Sequence, residues 1–581
     1  MNKNHEDIDI IATSSGKLTL KYKDTWIHSK YDPEKEAKRL IEDINYKKID
    51  VFILLGVGLG YHLEELLKNI SSSGLIIAIE KEKRIHEAAL NVWKEKNFLS
   101  SPQVIFFVDQ DVSLITKIIF EKFSFIKHKG LRVIEFRPCI SLNLEYYQTL
   151  KKKIGEVVDY KITQNLTLSS FGCLWQENVC RNLKEIIENS GVVNLFQKFK
   201  NIPAFIIAAG PSLDKNAYQL KNIKNKGVVI CVDTALKVLK NLNILPDLVV
   251  SVDPQEKNYK KLEGLNCHDT FLVVADITYW KIPLISLKKF IYTTNHPFYL
   301  YLLDVIGQKG VLSSAGGSVA TVSMDLANKM GCNPIILVGQ DLSFSDGFSH
   351  AKETYQVKEQ IENLSKFYTL EMVQREILIN KASLTVKGNY QEKVATNKLM
   401  DGYRKWIENE INRYKGYPEV INATEGGAYI EGTKVCTLQE VIKKYCQKEL
   451  LVREIIEKGN RKIEKINRRK LKERIDDLQI QLDDLELLCK EMLNLYQDFR
   501  KNTQEKSYFH RIAKIEKKIF EKQSILSILE IIFYNHAFHK LQKVKKIEEE
   551  EDFYFNWHFI WYQELINSCI TLKNMLNLCL Y

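Results

Sequence analysis

Apolar residues in this chain gather into short runs separated by longer stretches of helical period. The runs cover residues 51–55, 75–79, 204–209, 228–232, 248–252, 271–275 and 334–338, and each is closed by Gly, Asp or Glu. Runs of this length, without polar alternation, predict strands buried on both faces, as in parallel sheets. Amphipathic segments between them supply the crossover helices, so the pattern predicts doubly wound α/β architecture. Beyond residue 440 the pattern changes. Gly and Pro nearly vanish, and Leu471, Ile475, Leu478, Leu482, Leu485, Cys489, Met492, Tyr496 and Phe499 alternate spacings of four and three. That seam predicts packed long helices.

Length divides this pattern. A chain of 581 residues exceeds what one core supports. We expect an N-terminal Rossmann-like α/β domain at 1–165, a second doubly wound α/β domain at 166–440 and a helical bundle at 441–581. Neither segment of the α/β part repeats the other. The net charge of +11 arises from 84 Lys and Arg against 73 Asp and Glu, interspersed. Such an excess suits an anionic small molecule and does not mark a nucleic-acid binder. The 11 cysteines form no Cys-x-x-Cys pair, and Cys173 and Cys180 stand too isolated for a zinc knuckle. No apolar leader and no run of 18 apolar residues occurs, so a cytoplasmic protein without a membrane span is expected. The aromatic cluster at 553–562 reads either as core or as a partner patch, and the charged run at 543–552 as a solvated connection.

Ligands of open α/β sheets bind beyond the carboxyl ends of the strands, which makes the residues closing each run the candidate chemistry. In the first domain Gly56-Val57-Gly58-Leu59-Gly60 follows one strand and Glu80 closes the next. An acid about 20 residues after a glycine turn holds ribose in dinucleotide folds; the same glycines also permit tight strand-to-helix packing. In the second domain Gly210-Pro211-Ser212-Leu213 closes the first run, where a helix start offers N–H groups to phosphate. Asp233-Thr234, Asp253, Asp276 and Gly339-Gln340-Asp341 close the others. One strand-end Asp is usually a helix cap, whereas four on one rim predict a polar pocket for sugar hydroxyls. Ser313-Ser314-Ala315-Gly316-Gly317-Ser318 precedes an apolar helix and is a second anion cradle. His350, the sole histidine between residues 297 and 509, follows Asp341 by nine residues and is expected to fold back over the pocket. Glu425, in a Gly-flanked turn, is a further pocket candidate.

These motifs, in this order and with Asn422-Ala423-Thr424-Glu425-Gly426-Gly427 and Trp26-Ile27-His28-Ser29-Lys30-Tyr31-Asp32-Pro33, resemble the motility-associated (Maf) glycosyltransferases over about the first 440 residues. The resemblance implies transfer of a nonulosonic acid, pseudaminic or legionaminic, from a CMP-activated donor to Ser or Thr of flagellin, in flagellar assembly and motility. The helical tail then resembles the family's variable region and is expected to bind the acceptor. The central segment is also similar to bacterial sialyltransferases that begin with a Gly-Pro-Ser-Leu turn. By that likeness Gly210, Pro211, Ser212, Leu213, Ser313, Ser314, Gly316, Gly317 and Ser318 hold the donor and Asp233 and Asp253 stand where those enzymes carry Asn; Thr234 and Glu425 are expected beside them as donor-binding residues. His350, Asp233 and Asp341 carry the chemistry, with His350 near the place of a phosphate-contacting tyrosine. Those enzymes' later catalytic histidine has no counterpart here, since the next histidine is His510; the base is therefore open. A CMP donor carries one phosphate, so no cofactor is required, although clustered Asp side chains would suit Mg²⁺. Two rivals stand beside this reading. Archaeal pterin diphosphokinases, using ATP and Mg²⁺, look similar in the central segment, and a flagellin-binding chaperone would keep the fold without transfer.

Overall fold

A computed structural model describes residues 8–71, 74–93, 97–123, 128–265, 270–286, 288–313, 316–345, 347–501, 506–544 and 550–580. The protein is a mixed α/β chain with parallel sheets and a helical C-terminal region. It forms two compact units. The first contains residues 1–172, 486–521 and 529–568; the second contains 173–485, 522–528 and 569–581.

The first unit opens with an antiparallel meander, β1 (Ile8–Ala12), β2 (Leu18–Tyr22) and β3 (Thr25–Trp26). Its sheet comprises β4 (Val51–Leu55), β5 (Leu75–Glu80), β6 (Val104–Val108) and β7 (Leu131–Glu135), all parallel, in the order β6-β5-β4-β7. The alternation explains the unbroken apolar runs. Phe52, Leu54, Ile76 and Ala78 enter one core, while Ile53, Leu55, Ile77 and Ile79 enter the other. Successive strand residues point to opposite faces, so helices on both sides demand apolar residues at every position.

The second unit holds the larger sheet. In chain order its strands are β8 (Ser190–Gly191), β9 (Ala204–Ile207), β10 (Val228–Val232), β11 (Leu248–Ser251), β12 (Phe271–Ala275), β13 (Lys289–Tyr292) and β14 (Ile335–Val338). A separate antiparallel pair follows, β15 (Leu384–Val386) and β16 (Val394–Thr396), and then β17 (Val420–Asn422) and β18 (Lys434–Val435) complete the sheet. Its order is β18-β17-β14-β9-β10-β11-β12-β13-β8, parallel throughout. From β9 the chain winds outward to β13, then returns to lay β14 on the other side of β9. That reversal makes β9 and β14 the topological switch point, where the loops leaving the two strands diverge and a crevice opens.

The helical region follows the seam. Leu471, Ile475, Leu478, Leu482, Leu485, Cys489, Met492 and Tyr496 are all buried along one helix, Arg468–Lys501. The side chain of Phe499 lies outside the described residues. Trp557, Trp561 and Tyr562 are buried, so this part of the aromatic cluster is core. Phe553, Tyr554 and most of the charged run lie outside the described side chains. Among the described residues no helix is long and apolar enough to cross a membrane.

The seam separates two neighbouring positions sharply. Leu482→Ala deletes a fully buried side chain and should cost about 3 kcal/mol. Ile480→Ala, at a position 67 % exposed, should change stability by less than about 0.5 kcal/mol. Denaturant midpoints of the two variants check the contrast; equal shifts would contradict the seam.

Candidate active site at the switch point

A cavity of 310 Å³ opens at the carboxyl rim between β9 and β14. Gly210 and Ala208–Ala209 line it from the end of β9, Thr234 and Val232 from β10, and Gly339, Gln340, Asp341 and Leu342 from β14. Ser318, Val319 and Ala320 line it at the start of the helix Val319–Met330, and Ser349 and His350 from the loop beyond β14. Four expected turns thus meet at one place.

Asp341 is buried, and its carboxylate accepts hydrogen bonds from the Ser212 hydroxyl at 2.7 Å and the Ser212 N–H at 3.2 Å. Burial pushes its pKa up to about 6, with the Ser212 bonds and Lys215 opposing. Room for the carboxylate requires glycine. A Cβ on Gly210 would overlap Asp341, and Gly427, at φ 72°, packs directly on the Asp341 backbone. Ser212 was expected to present its donors to a ligand phosphate through a following helix. That helix, Leu213–Asn216, is one turn long, and the two donors already hold an internal anion. Pro211 completes the turn, and Leu213 is buried beneath it.

The other cradle is better developed. Ser318 caps the three-turn helix Val319–Met330, its hydroxyl accepting the Ala320 N–H at 3.3 Å in a capping box with Thr321. This helix start faces the cavity and directs its positive dipole end there. Gly317 lies against the Tyr403 ring, and Gly316 against Thr321. Ser313 sits apart from the cavity lining, its N–H donating to Asp325; Ser314 and Ala315 lie outside the described residues.

His350 folds back as its position predicts. The Ala351 N–H donates to the Ala209 carbonyl at 2.9 Å, pinning the loop across the end of β9. The imidazole Nδ1 pairs with the Ser349 hydroxyl at 2.9 Å. Burial, aided by Lys261, lowers its pKa to about 4, so the ring is neutral at pH 7. Asp346 lies outside the described residues.

The remaining strand-end acids do not line the cavity. The Asp233 carboxylate accepts from Asn258 Nδ2 at 2.7 Å, Ser251 Oγ at 2.8 Å and the Thr234 N–H at 2.7 Å. It clamps β10 to β11 and the next helix, and only its neighbour Thr234 reaches the cavity. Asp276, fully buried, accepts from Thr293 and Thr294, and burial raises its pKa to about 6. Asp253 accepts the Gln255 N–H, and burial raises its pKa too. Glu425 accepts from the Leu438 N–H and from Asn216. The expectation of four pocket acids reduces to Asp341, because neighbouring hydroxyls and amides satisfy the others locally. These separate engagements leave no shared carboxylate set for Mg²⁺, and among the described residues no cluster of three or more His, Cys, Asp or Glu could hold a metal.

Four lining residues were absent from the sequence reading: Asn397, Leu399, Met400 and Tyr403. Asn397 caps the helix Lys398–Tyr414, accepting the Met400 N–H at 2.8 Å, and so brings Met400 and Tyr403 to the cavity. Its signal is an Asn immediately before a long amphipathic segment. The pair β15–β16 fixes that approach: Thr396 Oγ1 donates to the Leu342 carbonyl and the Phe344 N–H donates to the Ala395 carbonyl.

In the first unit the glycine turn is closed by its own surroundings. Glu80, buried, accepts the N–H groups of Val57 at 2.9 Å and Gly58 at 3.1 Å. His28 Nε2 accepts the Leu59 N–H at 2.7 Å. The donors that would meet a pyrophosphate, and the acid that would meet a ribose, bond to each other. The turn does not fit a dinucleotide.

Asp233→Ala should therefore act on stability. Removing the acceptor leaves buried Asn258 and Ser251 groups unsatisfied, at a cost of about 3 kcal/mol. Chemical denaturation measures it; an unchanged midpoint with abolished activity would return Asp233 to the chemistry.

Residues 8–92 match the family model described as the glycosyltransferase Maf N-terminal domain. Residues 177–347 match the model of 6-hydroxymethylpterin diphosphokinase MptE-like proteins. Curated relatives include uncharacterized proteins of Treponema pallidum (strain Nichols). One is 20 % identical over 369 residues, 62 % of this chain and 63 % of the relative. Another is 25 % identical over 226 residues, 38 % of this chain and 75 % of the relative. The chain thus spans less than two thirds of the first relative. A solved Maf glycosyltransferase from Magnetospirillum magneticum AMB-1 shares the fold, with a TM-score of 0.66 and 13 % identity over 100 % of this chain and 94 % of that one. The chain therefore matches the Maf glycosyltransferase N-terminal domain model over residues 8–92 and shares the fold of a solved Maf glycosyltransferase along its length.

Proposed function

We propose that the switch-point cavity transfers a nonulosonic acid from a CMP-linked donor to a Ser or Thr hydroxyl of flagellin. The observation that carries this reading is the meeting of a helix N-terminus, a neutral histidine and a buried carboxyl in one cavity. Loss of CMP leaves an oxocarbenium-like sugar. The protein's tasks are to stabilise the departing phosphate and to take a proton from the acceptor hydroxyl. The start of the helix Val319–Met330 receives the phosphate, where the positive end of the helix dipole opposes its charge. Tyr403, Met400 and Val319 offer the apolar side on which a pyrimidine packs. In the tautomer in which Nδ1–H donates to the Ser349 hydroxyl, His350 Nε2 bears the lone pair and serves as base. Its low pKa keeps it unprotonated. The helices beyond residue 440 are where we place acceptor recognition, and the compartment we propose is the cytoplasm.

A pterin diphosphokinase reading is favoured by one observation, the family match over residues 177–347. Calorimetry separates the two. CMP should bind without added metal, and ATP with Mg²⁺ should not bind; the reverse would support the diphosphokinase. Intact mass of flagellin co-expressed with this protein and a CMP-nonulosonate pathway tests transfer itself. A gain of one or more sugar masses is expected, and an unmodified mass in the presence of donor would refute the proposal.

His350→Ala should lower kcat by about 100-fold or more while the protein stays folded. The wild-type base is neutral above its pKa of about 4, so kcat should stay level from neutral pH to about pH 5 and fall below that. Wild-type turnover in the variant would remove His350 from the mechanism.

A further inference from the structure

Thr234, Ser318, Ser349 and Asp341 bring polar groups to the cavity that the protein itself engages. Two carboxamides there are engaged less. Gln340, two residues beyond β14, lines the cavity and is only 5 % exposed. Its peptide N–H donates to Thr424 Oγ1 at 3.1 Å, which fixes the backbone. Its side-chain amide has no hydrogen-bond partner among the described residues. A primary amide taken from water without a partner is costly, so the partner this one is built for is a ligand. Asn397 comes from a neighbouring segment. The Phe344 N–H donates to the Ala395 carbonyl and Thr396 Oγ1 to the Leu342 carbonyl, both at 2.8 Å, so residues 395–397 run beside the chain that leaves β14. The Asn397 amide is half used. Its Oδ1 accepts the Met400 N–H at 2.8 Å and caps the helix Lys398–Tyr414, while Nδ2 has no partner among the described residues.

We propose that Asn397 and Gln340 read the edge of the donor's base and select cytosine over uracil: Asn397 Nδ2 donates to the ring N3, and Gln340 Oε1 accepts from the exocyclic N4–H. The inference rests on the cytidine reading of the cavity and deepens it by naming the residues that set the base.

The two amides differ in freedom, and the selectivity follows from that difference. The cap bond locks Asn397, because turning the amide over would replace the Oδ1 acceptor with a second donor facing the Met400 N–H. Asn397 therefore offers the cavity donors only. Gln340, unbonded within the protein, turns either its oxygen or its nitrogen to a ligand. The helix that Asn397 caps also carries Met400 and Tyr403 to the apolar side of the cavity, so a donor at the cap lies by the edge of a ring packed there. Cytosine presents an acceptor at N3 beside a donor at N4, whereas uracil presents a donor at N3 beside an acceptor at O4. Gln340 suits both by turning over. Asn397 does not: against uracil its N–H meets the N3–H, donor against donor. A site that binds through hydrogen bonds rejects an analogue that leaves its polar groups unpaired. Asn397 thus supplies the discrimination, and Gln340 adds affinity.

Calorimetric titration of the full chain with CMP, UMP and the free sugar acid N-acetylneuraminate tests this. The wild type should bind CMP at least about tenfold more tightly than UMP. Asn397→Asp keeps the helix cap, so the ligand-free melting temperature should stay unchanged, but it puts an acceptor where the donor stood. The ratio of CMP to UMP affinity should then fall to about one or reverse; the added charge weakens both nucleotides alike and leaves the ratio as the readout. Should that variant fail to fold, Asn397→Ser, which also caps and whose hydroxyl both donates and accepts, should bring the ratio near one. Gln340→Met fills a similar volume without the amide. It should weaken CMP by about tenfold and leave the ligand-free melting temperature unchanged, because no bond within the protein is lost. Equal binding of CMP and UMP by the wild type overturns the inference and leaves the nucleotide reading standing. An unchanged ratio in the Asn397 variants overturns it as well, and so does a loss in Gln340→Met confined to the sugar acid. A wild type that binds neither nucleotide removes the cytidine reading and this inference with it.

Discussion

The paired hydrogen bonds from Ser212 to the Asp341 carboxylate join the ends of β9 and β14. These strands neighbour each other in the sheet but lie about 130 residues apart in the chain, and their loops form the mouth of the cavity. A buried carboxylate without partners would be costly, and one held by a hydroxyl and an N–H keeps its charge at tolerable expense. The glycines at 210 and 427 follow from it, since any side chain there would enter the space the carboxyl and its backbone occupy. The position of His350 follows as well, because its loop is pinned to Ala209 at the end of the same strand.

The two α/β sheets use one device to different ends. In the first, Glu80 accepts the N–H groups of the glycine turn and closes it. In the second, Asp341 accepts the Ser212 N–H and hydroxyl, at the wall of a cavity. A glycine turn after a strand therefore carries no ligand information by itself; what matters is whether a nearby carboxylate neutralises its donors and whether space remains beside it. This is why the Maf-like N-terminal domain keeps a dinucleotide-like turn that does not fit a dinucleotide. Its His28, from the Trp26–Pro33 motif, caps the Leu59 N–H of that turn and gives the motif a structural reason.

The buried strands were legible because parallel strands covered on both faces must be apolar at every position. The strand Lys289–Tyr292 was not, because it begins with a lysine; that ammonium is buried against Glu185 at 2.7 Å, a partner 104 residues away that no local pattern reveals. The rim was legible as a set of turns but not as a division of labour. Asp233, Asp253, Asp276 and Asp341 look alike in sequence, each closing an apolar run. Whether a carboxyl faces a cavity depends on Ser251, Asn258 and Thr293, which arrive from other elements. His350 was legible because a loop nine residues long after a strand end has little choice but to return over it. Tyr403 was not, since it reaches the cavity through a helix more than 60 residues beyond β14, fixed there by the Thr396 and Phe344 bonds.

The account stands on the switch-point cavity being the nucleotide site. A crystal structure of the protein grown with CMP addresses that directly. The account predicts the phosphate at the N-terminus of the helix Val319–Met330 and the pyrimidine beside Tyr403. CMP ordered at the Gly56–Gly60 turn of the first sheet, or anywhere else with the rim between β9 and β14 vacant, would contradict it.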